Sequence, residues 1–231
     1  MINLTESEIK FLSKTLVDES IKIAKLSKTK INNSINLKYK NNNQNYEIFL
    51  TNFFRKNNYF EKDKIFEFCA LIFKMILKAQ LFKFGTSKFA ITYLKLILFL
   101  FEFDFNWTLD HSLKIENNIF CHEAKLSDKN LTFFANSSQF MIKSNELDNL
   151  LLIACKENLK NNWIELSNEE QKNILNEQIL NLIKNNSISF SNKEIFLENN
   201  ILAFNDRLNK LKNSENWIIF LNSLWILSTM S

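Results

Sequence analysis

Apolar residues in the first hundred positions recur every three or four residues, which is the spacing of a helix with one buried face. Thr5 and Glu8 form the pattern of a capping box, which predicts where the first helix begins. Gly85 suits the left-handed position that ends a helix, and we expect it to end the third one. The predicted helices span residues 6–26, 46–56, 61–84 and 87–99, with a connecting segment rich in Lys, Asn and Ser at 27–45.

At residue 100 the pattern changes to a period of two. Phe101, Phe103, Phe105 and Trp107 alternate with polar residues, so a strand would place the four aromatic side chains on one face. We expect that face to be buried. Short runs of Asn and Ser farther along indicate turns, and the sequence therefore predicts an antiparallel meander over 100–143.

Beyond the meander the helical spacing returns, and Ser residues followed three positions later by Glu indicate new helix starts. The predicted elements are helices over 145–158, 167–184, 191–212 and 215–229 and strands over 163–166 and 187–190. Because helices and strands fall into separate runs, the predicted fold class is α+β, with N-terminal helices, a central antiparallel β-meander and a C-terminal mixed helix/strand region. The expected division is a basic helical region at 1–99 and the meander plus C-terminal helices at 100–231, or else one continuous domain.

Composition limits what can be concluded from abundant residue types. The chain of 231 residues has one Gly, no Pro and only two Arg, Arg55 and Arg207, whereas Asn, Ile, Lys and Phe are frequent. The frequent types have AT-rich codons, so the base composition of the genome explains the bias without any function. Since Gly is nearly absent, we expect Asn, the next most tolerant residue, to occupy left-handed backbone positions.

The sequence contains no recognisable catalytic motif. A single Gly excludes the glycine-rich loops of P-loop and dinucleotide-binding proteins, as well as the nucleophile elbow of hydrolases. The wide spacing of Cys69, Cys121 and Cys155 predicts neither a disulfide framework nor a zinc site. His111 and His122 are the only imidazoles, and Cys121 beside His122 on a strand would point to the opposite face. We therefore predict no catalytic, cofactor-binding or metal-binding residue, which favours a protein that is not an enzyme.

Charged residues are distributed unevenly along the chain. Residues 1–99 hold 17 basic and 8 acidic side chains, a net charge of +9, whereas residues 100–231 hold 12 and 17, a net charge of −5. Such asymmetry indicates either contact with nucleic acid or the genomic preference for Lys. Under the first interpretation, the residues that contact phosphate are Lys22, Lys25, Lys28, Lys30, Lys38 and Lys40.

The apolar run over 217–227 would surround a helix almost completely. A helix that is apolar on all sides is either buried or docked on a partner. We expect a partner contact on the stripe of Ile218, Leu221 and Trp225. The favoured function is therefore that of a non-enzymatic interaction or adaptor subunit, with another protein or a second copy as partner, and the alternative is a nucleic-acid-associated accessory protein. Neither a signal peptide nor a membrane span is predicted, and a cytoplasmic location is expected.

Overall fold

The computed structural model describes residues 1–26, 37–40, 45–83, 85–107, 168–190 and 197–229. In this part the chain is mostly helical, with two small antiparallel sheets, and its class is broadly α+β. The predicted meander beyond residue 107, the helix over 145–158 and the strand over 163–166 lie outside the described residues. They therefore stay predictions, as does the domain boundary near residue 100.

The helices are α1 (Glu6–Lys10), α2 (Leu16–Leu26), α3 (Tyr46–Lys56), α4 (Ile65–Ala79), α5 (Thr86–Leu100), α6 (Asn168–Asn186), α7 (Leu197–Leu202), α8 (Phe204–Lys212) and α9 (Glu215–Thr229). A π-helical turn over Phe11–Thr15 joins α1 to α2, and a 3-10 turn over Lys62–Lys64 precedes α4. The strands are β1 (Ile2–Asn3), β2 (Tyr59–Phe60), β3 (Phe103–Phe105) and β4 (Ser187–Ser189). β1 pairs with β2 and β3 pairs with β4, both antiparallel.

The first helical run begins at the predicted capping box. The hydroxyl of Thr5 accepts a hydrogen bond from the backbone N–H of Glu8, whose carboxylate in turn accepts one from the backbone N–H of Thr5 at 2.7 Å. The run then continues to residue 26, as the spacing predicts, but with a π-helical turn in its middle. In that turn the N–H of Leu16 bonds to the carbonyl of Phe11 instead of that of Leu12. The hydroxyl of Tyr93 from α5 donates to the Leu12 carbonyl at 2.9 Å and so supplies the missing donor.

Two expectations are wrong, one about where the third helix ends and one about which residues take left-handed backbone positions. The third helix ends at Ala79, with Gln80 in the left-handed conformation at φ 42°, and Gly85 instead precedes α5 with φ 77°. The chain leaves the helix early because residues 81–83 pair with residues 38–40. Asn also does not take the left-handed positions: among the described non-glycine residues, positive φ occurs at Gln80 and Glu102.

Helix α5 lies at the centre of the described core. All fifteen of its residues are buried, and α2, α4, α7, α9 and β3 pack around it. Its last carbonyls receive side-chain donors: Arg207 donates to Phe99 at 3.0 Å, and Asn200 donates to Leu100 at 2.9 Å. The sequence pattern left the terminal helix either buried or docked on a partner, and among the described helices it is α5 that has every residue buried.

The aromatic alternation after residue 100 is only partly a strand. The backbone turns at Glu102, which has φ 66°, so Phe101 lies at the end of α5 and the strand covers only Phe103–Phe105. Phe101, Phe105 and Trp107 are buried, whereas Phe103 is half-buried. Asp104, which the alternation places on a polar outer face, is also buried. It is buried because β3 packs on α5, where the ammonium of Lys95 lies 3.0 Å from the Asp104 carboxylate.

The hydrogen bond from Tyr93 to the π turn gives the first prediction. Replacing Tyr93 with Phe should lower the free energy of unfolding by about 1–3 kcal/mol, because a buried backbone carbonyl would lose its donor. Urea denaturation measures this change. Tyr59→Phe is the matched control, since Tyr59 is exposed and its variant should unfold at nearly the wild-type midpoint. An equally small change for both variants would mean that the Leu12 carbonyl needs no partner from α5.

Candidate functional site

The terminal helix α9 is anchored along one side and exposed along another. Ser214 begins it, with its hydroxyl accepting from the N–H of Trp217 at 3.3 Å. Trp217, Phe220 and Leu224 are buried where the helix packs on α5 and α8. Although the sequence of α9 is apolar on almost every side, the helix has one buried side and one exposed side, as an amphipathic helix does.

The residues predicted as a partner contact do not share one environment. Ile218 is 61% exposed, whereas Leu221 is half-buried against the core. The Trp225 side chain lies outside the described part of the structure. Ile219, which the predicted stripe omitted, is 49% exposed and lies beside Ile218. In the part of α9 whose side chains are described, the exposed apolar surface therefore consists of Ile218 and Ile219, and no spacing rule in the sequence distinguished this pair from its buried neighbours.

The predicted phosphate-contacting lysines fall into three groups. Lys22 and Lys25 are exposed on α2, and Lys22 forms an ion pair with Glu19 at 3.4 Å. Lys28 and Lys30 lie outside the described residues. Lys38 and Lys40 are exposed in a short extended segment that pairs with residues 81–83. The structure thus brings Lys38 and Lys40 together, with Lys83 as a third exposed lysine that the sequence did not connect with them.

A buried ion pair links α5 to β3. The ammonium of Lys95 lies 3.0 Å from the carboxylate of Asp104 and donates to the carbonyl of Phe105 at 2.8 Å. It also lies 5.1 Å from the ring centre of Phe220 in α9. Burial lowers the pKa of Lys95, and the nearby Asp104 carboxylate partly opposes that effect. Because the ammonium is held by three groups of the fold itself, this pair fits a structural role better than a catalytic one.

A second lysine of α5 is also perturbed. Lys88 lies two turns before Lys95, so both side chains leave the same side of the helix. Burial lowers the pKa of Lys88 from 10.5 to about 8. At neutral pH this ammonium therefore carries a charge that the surrounding core disfavours.

Burial also determines the state of the one cysteine that the structure describes. Burial raises the pKa of the Cys69 thiol well above its ordinary value, so the reactive thiolate is not formed near neutral pH. Cys121, Cys155, His111 and His122 lie outside the described residues. Within the described ranges, no group of three or more His, Cys, Asp or Glu side chains is arranged to hold a metal ion.

A shallow groove separates α4 from α6. It has a volume of about 290 Å³ and is bordered by two polar links between the helices. Lys74 donates to Asn176 at 2.6 Å, and Lys184 pairs with Glu67 at 3.3 Å. This volume is at the lower limit for a small-molecule pocket, and Lys74 and Glu67, two of the charged residues that line it, are already used in these links. The groove therefore does not define a binding site.

Comparisons with known proteins do not assign a family. No family model matches the chain, and no curated protein or solved structure is significantly similar to it. Of the helices in the described part, none is both long enough and apolar enough to cross a bilayer. The candidate surfaces must therefore be interpreted from their own chemistry, and the two that face outward are the Ile218–Ile219 pair and the lysines near residue 39.

The buried ion pair gives the second prediction. Asp104→Ala should lower the free energy of unfolding by about 3–5 kcal/mol, because it leaves the Lys95 ammonium buried without its counter-charge. The double variant Lys95→Met/Asp104→Ala should recover much of that loss, since the uncompensated charge is gone. Urea denaturation checks both values. Glu6→Ala, which removes an exposed ion pair with Arg55, is the control and should leave the midpoint nearly unchanged. A double variant as unstable as Asp104→Ala would show that charge is not the cause.

Lys88 gives a pH-dependent prediction. Because the folded protein binds the Lys88 proton less tightly than the unfolded chain, this group makes the free energy of unfolding rise between about pH 8 and pH 10.5. Lys88→Met should therefore raise the free energy of unfolding at pH 7, and this gain should shrink toward pH 10. Unfolding in urea at several pH values measures it. The exposed Lys78→Met should show no such trend, and a gain from Lys88→Met that is equal at pH 7 and pH 10 would contradict the prediction.

Proposed function

We propose that this protein is a non-enzymatic interaction or adaptor subunit of a larger assembly and that it binds a protein partner through α9. The observation that carries the proposal is the combination of anchored and exposed apolar residues on one helix. Trp217 and Phe220 hold α9 in the core, while Ile218 and Ile219 are largely exposed next to them.

Anchoring favours binding because it removes an entropic cost. A helix that is already folded and fixed does not have to be ordered when a partner arrives. Amphipathic helices bind apolar grooves through residues spaced by three or four positions, and Ile218 with the half-buried Leu221 has that spacing. Single exposed apolar residues are common on soluble proteins, whereas α9 exposes two large ones in succession on a helix that is anchored to the core.

A second candidate function is that of a nucleic-acid-associated accessory protein. It is supported by the net charge of +9 in residues 1–99 and by exposed lysines on α2 and near residue 39. Against it, Glu19 already pairs with Lys22 and lies 3.9 Å from Lys212. Because Arg, the usual residue for bidentate base and phosphate contacts, is nearly absent, any such binding would be independent of sequence.

The proposed function predicts that charge on α9 abolishes assembly without unfolding the protein. In the double variant Ile218→Glu/Ile219→Glu, the protein partner captured by the wild type should be lost, or the wild-type oligomer should dissociate. Capture from the native cell, with nuclease present, and light scattering of the purified chain measure these two outcomes. The urea midpoint should stay close to that of the wild type, because both side chains are exposed.

Leu202→Glu is the matched control. Leu202 is 79% exposed on α7, so this variant adds charge at an apolar surface residue outside α9. It should keep the partner. Equal capture by the α9 double variant and the control would overturn the proposal, and loss of every captured protein on nuclease treatment would favour the second candidate.

A further inference from the structure

Two distant segments form a short antiparallel ladder, residues 38–40 against residues 81–83. The N–H of Lys40 donates to the carbonyl of Leu81, and the N–H of Lys83 donates to that of Lys38, both at 2.8 Å. Tyr39 and Phe82 are the opposed pair at the centre. In this register Lys38 lies opposite Lys83, and Lys40 lies opposite Leu81.

The register assigns the side chains of the ladder to two faces. Opposed residues of an antiparallel pair share a face, and successive residues alternate between faces. The rings of Tyr39 and Phe82 pack 4.5 Å apart on the inner face. Lys38, Lys40 and Lys83 therefore belong to the outer face, and all three are exposed.

This arrangement is unfavourable for the free protein. Directly opposed side chains of an antiparallel pair lie about 5 Å apart at Cβ, and like charges there are destabilising. Within the described part of the chain, none of the three lysines forms an ion pair. Burial raises the pKa of the Tyr39 hydroxyl, and the carboxylates of Asp18 and Glu47 add to that increase, so these two acidic groups act on a residue of the inner face. The outer face thus concentrates positive charge that a bound anion would neutralise.

The ladder is held in place from below. The hydroxyl of the buried Tyr46 accepts from the N–H of Leu81 at 3.1 Å and donates to the carbonyl of Ile76 at 3.0 Å. The Tyr46 ring also stacks on Phe89 of α5 at 4.6 Å. The lysines therefore project from a backbone that is fixed to the core.

We infer that Lys38, Lys40 and Lys83 form a contact site for the phosphate backbone of nucleic acid. Lysine ammonium groups bind phosphate as point charges and do not read bases. A membrane surface fits less well, because the aromatic residues of the ladder face inward and only the half-buried Leu81 is available to enter a bilayer. The inference deepens and rests on the second candidate function, and it is independent of the contact proposed for α9.

The test uses the full chain and a fluorescent 20-nucleotide single-stranded DNA. The variant Lys38→Gln/Lys40→Gln/Lys83→Gln should bind about tenfold more weakly at low salt, and its plot of log affinity against log salt should be shallower by about 2, since each phosphate contact contributes about 0.7. The matched control Lys10→Gln/Lys14→Gln/Lys56→Gln removes the same charge from exposed lysines outside the ladder and should retain most of the affinity.

A second measurement needs no ligand. Lys83→Gln alone should raise the urea midpoint of the free protein, because it relieves the repulsion with Lys38, while it weakens DNA binding. A lowered midpoint with unchanged binding would overturn the site.

The remaining outcomes distinguish a failure of the ladder site from a failure of the second candidate function. DNA binding that is equally weakened in both triple variants would overturn the ladder site but leave the second candidate function standing. No binding of DNA or RNA by the wild type at low salt would remove both. Binding of anionic vesicles or of poly-glutamate, but not of DNA or RNA, would replace nucleic acid with a different partner and overturn the inference.

Discussion

The enclosure of α5 is the constraint on which the rest of the described structure depends. A helix that is buried on every side cannot exist in water alone, so α2, α4, α9 and β3 must all be in place for it to be stable. Two of its side chains are lysines, and Lys95 can be buried only because Asp104 and the Phe105 carbonyl arrive with β3. The position of β3 in turn fixes β4, its partner in the sheet. Packing and charge therefore impose the same arrangement around one helix.

Much of the helical structure was predictable, since helix positions depend on local spacing. The capping box at Thr5 identifies the start of α1, and the three- and four-residue periods identify α3, α5 and α9 nearly to their ends. Which helix is central was not predictable. Lys88 and Lys95 make α5 look amphipathic in sequence, whereas α9 has no lysine and looks buried. The sequence carries no sign that Lys95 would meet Asp104, because that contact depends on a turn at Glu102.

The two outward-facing surfaces, the lysines of the ladder and the Ile218–Ile219 pair, were also only partly predictable from the sequence. A stretch without acidic residues drew attention to Lys38 and Lys40 in the sequence, and both side chains are exposed in the structure. Lys83 joins them only because the rings of Tyr39 and Phe82 pack together across 43 positions of the chain, and such pairing leaves no periodic signal. On α9, the sequence indicated an unusual apolar helix but could not tell the anchored residues from the exposed Ile218 and Ile219.

The π turn over Phe11–Thr15 amounts to one extra residue inserted in an otherwise regular helix. Each residue of an α-helix adds about 100° of rotation and 1.5 Å of rise. The insertion therefore sets the phase of everything upstream relative to α2: it turns Ile9 toward the core and brings Glu6 to within 3.1 Å of Arg55 on α3. Deleting one residue there would restore a regular helix yet rotate the whole N-terminal arm out of phase. The number of residues in the π turn therefore sets how residues 1–10 are oriented against their neighbours, and a segment that is one residue shorter would not fit.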